Sequence, residues 1–246
     1  MHSERSVILL ARKKIVFIIV EGPSDDEALG VIFSRLYDKQ SVHVEITHGD
    51  ITSDDKSNPK NIVIKVCEIV KQYCENNHFN KKDFLEVIHI MDTDGAYISD
   101  DYIIENESVT DRPLYSLTGI ETKHPSDIKN RNHNKSANMD RLQAQKTVWS
   151  NIPYHAYYMS CNLDHVLYNK LNSTNRDKEK DALTFACKYK DNLDEFLSFI
   201  SDSDFSVCGD YKESWSFIRQ DLNSLNRYSN LCICLKDIRE SRNATR

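Results

Sequence analysis

The sequence predicts an α/β fold, a mostly parallel sheet flanked by helices and followed by a helical C-terminal portion. Three observations predict it. Short apolar runs alternate with helically spaced apolar stripes over the first hundred or so residues, the rhythm of parallel strands joined by crossover helices. The first of these runs is β-branched and unbroken, as in a strand covered on both faces. Beyond Asp177 the pattern is mostly helical.

The elements follow in order. IVFIIV, within Lys14 to Val20, is the first strand, broken by Glu21-Gly22-Pro23. A helix runs from about Asp25 to Tyr37, with Ala28, Leu29, Ile32, Phe33 and Leu36 as its apolar stripe. Ser24 is its expected N-cap, with Glu27 completing a capping box. Val42 to Thr47 alternates as a second strand and ends at His48-Gly49-Asp50, which reads as a turn. A second helix spans Asn61 to Cys74, and a third strand, Phe84 to Met91, runs straight into Asp92-Thr93-Asp94-Gly95. From about 97 to 138 the periodicity fades, and Pro113, Pro125 and the tract KNRNHNKSANMD predict a loop insertion. A short helix over Met139 to Trp149, a fourth strand over Pro153 to Ser160 and a helix over Leu163 to Leu171 complete a core at residues 1–172. Residues 173–246 form the helical portion, turning near Cys208-Gly209-Asp210, with a charged, frayed tail after Lys236.

Composition narrows the function. The formal net charge of −6 argues against a protein that coats nucleic acid with a basic surface. It leaves room for acidic residues gathered around a cation. The seven cysteines form no CxxC pair, so the pattern offers little for zinc. Cys232 and Cys234 alternate with Leu231, Ile233 and Leu235 as buried thiols of a strand would, and reduced thiols fit a cytoplasmic protein. The opening segment MHSERSVILLARKK has too short an apolar run for a secretory signal, and no stretch is long enough to span a bilayer, so no membrane partner is expected. No Walker A motif or nucleophile elbow is present.

In open α/β sheets, ligands gather at the carboxyl ends of the strands. Glu21 closes the first strand, and Asp92 and Asp94 close the third. Either signal alone is an ordinary turn. Together, at the ends of two buried strands, they are a set of hard oxygen donors suited to Mg²⁺ or Mn²⁺.

VEGPSDDEAL (Val20–Leu29) and HIMDTDG (His89–Gly95) resemble the two motifs of the Toprim domain. That domain is shared by primases, topoisomerases, ribosomal-RNA maturation nucleases, OLD-family nucleases and their RloB-like relatives. The likeness covers residues 14–95 and lies with the OLD and RloB-like branch. It implies a compact parallel sheet between helices and metal-dependent hydrolysis of DNA or RNA phosphodiester bonds. It implies that Asp92 and Asp94 hold Mg²⁺ or Mn²⁺, that Glu21 binds metal or moves a proton, and that Asp25 supports Glu21. YYMSCNLDHVL (Tyr157–Leu167) is similar to a later acidic segment of the branch, with Asp in place of Glu and no proline after Asn162. By that likeness Asp164 holds a second metal; the competing reading is a helix cap. OLD-like nucleases also place a late lysine near the scissile phosphate. Lys180, Lys188 and Lys190 are candidates, with Lys188 preferred for its partly apolar neighbours.

Lys123, Lys129, Arg131 and Lys135, in the tract after the acidic motif, are the expected contacts to nucleic-acid phosphates. His165 is a candidate proton shuttle, more simply an incidental helix histidine, and His89 is expected to be packed and neutral. The resemblance further implies an effector of anti-phage or mobile-element defence. OLD proteins carry an ATPase domain that this chain does not, which makes a separate ATPase subunit a candidate partner. The alternatives are a ribosomal-RNA-type processing nuclease and a non-catalytic module that binds nucleic acid or a partner ATPase. Oligomeric state is not legible.

Overall fold

A computed structural model describes residues 13–39, 42–110 and 112–244. The reading of the first dozen residues as no secretory leader lies outside them. The order is β1 (Lys14–Val20), α1 (Pro23–Leu36), β2 (Val42–His48), α2 (Ile62–Asn76), β3 (Phe84–Asp92), β4 (Ile103–Glu105), β5 (Leu114–Ser116) and β6 (Gly119–Thr122). Then come α3 (Pro125–Gln143), β7 (Thr147–Val148), β8 (Ile152–Met159), α4 (Leu163–Tyr168), α5 (Asn175–Tyr189), α6 (Leu193–Asp202), α7 (Tyr211–Ile218) and α8 (Leu231–Ala244).

The main sheet has the order β2-β1-β3-β8-β7. Its first four strands are mutually parallel, and β7 lies antiparallel on the edge. The unbroken apolar run of β1 explains its central place. Ile15 to Val20 are all at most 1% exposed. Ile15, Phe17 and Ile19 face one core with α2, α7 and the end of α3. Val16, Ile18 and Val20 face the other, with α1, α5, α6 and the start of α8. Each such side chain contributes roughly 1.5–3 kcal/mol of transfer free energy. The helical C-terminal residues therefore cover both faces of the sheet, α5, α6 and α8 on one and α7 on the other, and share its cores.

A small second sheet, β4-β6-β5, pairs β4 parallel and β5 antiparallel to β6. It packs through Ile98, Ile103 and Ile120 onto Cys161 and Leu225.

Five expectations change. The expected loop insertion at about 97–138 contains this second sheet and most of α3, a helix of 19 residues. Its buried face includes Asn132, Lys135 and Asn138, so a search for apolar periodicity misses it. The helix expected over Met139 to Trp149 is instead the end of α3 followed by β7. Cys232 and Cys234 lie in α8, not in a strand, because Leu231 and Leu235, one helical turn apart, are the fully buried pair. That helix continues to Ala244, through the tail expected to fray. Cys208 and Cys232, expected as reduced thiols, are joined by a disulfide. Among the described residues no helix is long and apolar enough to cross a membrane.

Candidate metal centre

Parallel pairing brings the carboxyl ends of β1, β2, β3 and β8 to one rim, with Val20 beside His48 and Asp92 beside Met159. The acidic residues follow at that rim. Glu21 leaves β1, Asp50 comes two residues after β2, Asp92 ends β3, and Asp94 sits in the turn beyond.

That turn is tightly held. The Thr93 N–H donates to the Met159 carbonyl at 2.9 Å and the Asp94 N–H to that of Cys161 at 2.7 Å. The Thr93 hydroxyl bonds the Ser224 carbonyl and accepts from the Cys161 N–H. Asp94 and Gly95 both have positive φ, 47° and 67°. A Cβ at Gly95 would also lie 2.6 Å from Cδ2 of Leu225 and 3.2 Å from Cδ1 of Ile120. Gly95→Ala is therefore expected to lower stability by about 1–3 kcal/mol, read as a drop in the urea midpoint at unchanged slope.

Glu21 is the hub. Its Oε1 accepts from the Asp92 N–H at 3.0 Å and from the Lys135 ammonium at 3.1 Å. Its Oε2 lies 3.4 Å from the same ammonium. Burial pushes the Glu21 pKa up to about 8; Lys135 pulls against the shift, while Asp50 and Asp94 add to it. Asp92 is raised well above the ordinary carboxylate range, by burial first and then by Glu21, Asp25 and Asp94. Its Oδ1 accepts the Leu163 N–H at 2.9 Å, tying β3 to the start of α4. For Asp50, burial is outweighed by Lys135 and by hydrogen bonds from Ser53 and Thr52, so its pKa lies below the usual value.

One carboxylate oxygen each from Glu21, Asp50 and Asp94 lies within 4.8 Å of the others. These oxygens are hard donors of the kind that hold divalent cations. The three residues fit such an ion, with Asp92 adjacent as a further carboxylate.

Asp25 supports the centre from α1. The helix is capped at Gly22, not Ser24, with Pro23 at its first position. The Asp25 carboxylate accepts the Gly22 N–H at 2.8 Å and so completes the turn that carries Glu21. Burial pushes the Asp25 pKa up to about 6, against the Gly22 hydrogen bond. Asp164 is 4% exposed and pairs with Lys178 of α5 at 3.0 Å. Lys178 also feels Asp92 and Asp25. Asp164 thus lies beside the centre, outside the group of three convergent oxygens, and holds a lysine.

The expected basic contacts divide. Lys135 is 0% exposed and ion-paired within the acidic cluster, so it presents no surface to a phosphate. Arg131 is spent on the Asp94 carbonyl at 2.9 Å, the Tyr115 hydroxyl and Asn132, fixing the turn. Lys123 is exposed and pairs with Glu107; neither it nor Lys129 lines the cleft. Lys188 is exposed at the end of α5 and pairs with Glu195, away from the cleft; Lys178, ten residues earlier, is the α5 lysine that reaches it. His165 is buried, with its pKa lowered to about 4 by burial and by Arg227, so it stays neutral at physiological pH. His89 is likewise buried and neutral, bonded to the Tyr154 hydroxyl.

A cleft of about 900 Å³ opens over this rim. Glu21, Asp50, Asp92 and Asp94 line it together with Arg131, Lys178 and Tyr115. Comparison with protein-family models, curated proteins and solved structures gives no match. The chemistry of the site therefore rests on its own residues.

Proposed function

We propose that this chain is a Mg²⁺- or Mn²⁺-dependent nuclease that hydrolyses phosphodiester bonds of DNA or RNA. One observation carries the reading: carboxylate oxygens of Glu21, Asp50 and Asp94 converge within 4.8 Å at the carboxyl rim of a parallel sheet. The likeness of Val20–Leu29 and His89–Gly95 to the Toprim motifs points the same way, and three of the four acids it singles out line this rim. When bound, a divalent cation supplies charge neutralisation at the phosphate and lowers the cost of forming hydroxide.

The chain's own groups supply the rest. Glu21 Oε2, which has Lys135 as its hydrogen-bond partner, is the proton acceptor for the attacking water. The Asp92 N–H holds the Glu21 carboxylate, and Asp25 fixes the backbone turn that carries it. Lys178, about a third exposed, offers its ammonium to a phosphate oxygen from the opposite wall. Water oxygen bonds to phosphorus as Glu21 takes its proton, the ester P–O bond breaks, and the leaving oxygen takes up a proton from solvent in the open cleft.

The test is incubation of the purified chain with Mn²⁺ and a panel of single-stranded, double-stranded and structured DNA and RNA. Metal-dependent cleavage, abolished by EDTA, is expected on at least one substrate class. Absence of cleavage across the panel in Mn²⁺ and Mg²⁺ overturns the proposal and leaves a binding module.

A further inference from the structure

We propose that the centre takes one divalent cation rather than two, because the Lys135 ammonium fills the position that a second ion would hold. This rests on the reading above that the centre holds a divalent cation at all. In two-metal phosphodiesterases the ions lie about 3.5–4 Å apart and clamp the attacking and leaving oxygens. Here Lys135 Nζ lies 2.5 Å from Asp94 Oδ2 and 3.1 and 3.4 Å from the two Glu21 oxygens. It therefore bridges two of the three carboxylates that would hold a cation.

Lys135 has no route out. It is 0% exposed, and its helix is sewn down on both sides. Toward the β3 turn, Asn132 donates to the Gly95 carbonyl and Arg131 to that of Asp94. Toward the loop after β2, Asn134 donates to the Ser57 carbonyl and Asn138 to that of Thr52. Removing the ammonium from the cluster would break these bonds or leave a cation beside the buried Met139 and Leu142, a costly exchange. An incoming ion thus meets Glu21, Asp50 and Asp94 from the cleft, with the inner charge already in place. Asp164, the residue singled out for a second metal, is matched by Lys178 in the same manner.

The test needs no substrate. The full chain is titrated with Mn²⁺ by calorimetry, and the complex is examined by low-temperature EPR. One Mn²⁺ per chain, with the spectrum of an isolated ion, is expected. Lys135→Ala should bind a second Mn²⁺, exchange-coupled to the first, and hold the first at least roughly tenfold more tightly once a like charge is gone. Lys135→Arg, which keeps the charge, should stay at one. A wild-type chain with two coupled Mn²⁺ ions overturns the proposal and leaves the metal reading standing. A chain that binds no Mn²⁺ overturns both. A folded Lys135→Ala that still binds one ion overturns the proposal as well. If that variant does not fold, the wild-type stoichiometry decides alone.

Discussion

Lys135→Met, assayed at pH 8 without added metal, is expected to lose about 3–5 kcal/mol of unfolding free energy, the cost of removing one partner from a buried ion pair. The ammonium is wholly buried, and burial alone would depress its pKa; Asp94, Glu21, Asp50 and Asp92 reverse this and keep it charged. Methionine matches the length of the stem and keeps its packing, so the loss reports the charge. The pH dependence has a definite sign. The folded pKa of Lys135 is raised, so its contribution is full below the unfolded value of about 10.5 and fades as pH rises through the folded value. In the variant, the carboxylates that lost their counter-charge take up protons more readily. The penalty should therefore shrink as pH falls below about 8, where Glu21 of the folded wild type takes up its proton. Urea unfolding at pH 5 and pH 8 measures this shrinkage. An equal loss at the two values would show that packing, not charge, had been removed.

The parts of the fold that were legible are those whose burial is apolar. The strands at Lys14–Val20 and Phe84–Asp92, and the stripe Ala28, Leu29, Ile32, Phe33, Leu36, carry their periodicity openly. Helix α3 does not, because three of its five buried residues are Asn132, Lys135 and Asn138. Their spacing of three is helical, but a hydrophobic reading sees a polar tract and predicts a loop. The site misled in the same way. Glu21, Asp92 and Asp94 could be found because each follows an obvious strand. Asp50 follows one too, yet a His-Gly-Asp sequence reads as a turn. Asp50 is indeed a turn residue, accepting from Ser53 and Thr52 while its carboxylate faces Glu21 and Asp94. Lys178 had no such marker: only the packing of α5 against α1 and α4 selects it over Lys188.

Asp94→Asn is expected to abolish Mn²⁺-dependent cleavage, lowering the rate by at least about a thousandfold, the scale of losing a preorganised charge contact in a catalytic centre. The substitution spares the backbone of the turn, although it also takes one of two carboxylate partners from the buried Lys135. Asp94 sits at a φ of 47°, a conformation that asparagine tolerates better than most residues, so the turn should survive. Its backbone bonds to Cys161 and Arg131 do not involve the carboxylate. What is lost is one hard anionic donor of three and one of the two carboxylate partners of Lys135. Circular dichroism and thermal melting establish that the variant is folded, and calorimetry then shows whether Mn²⁺ binding falls with cleavage. Lys71→Ala, on the exposed face of α2, serves as a control and should cleave as the wild type does. A folded Asp94→Asn that retained wild-type cleavage would move the reaction away from this rim. In that case the convergence of Glu21, Asp50 and Asp94 would be a structural ion cluster balanced by Lys135.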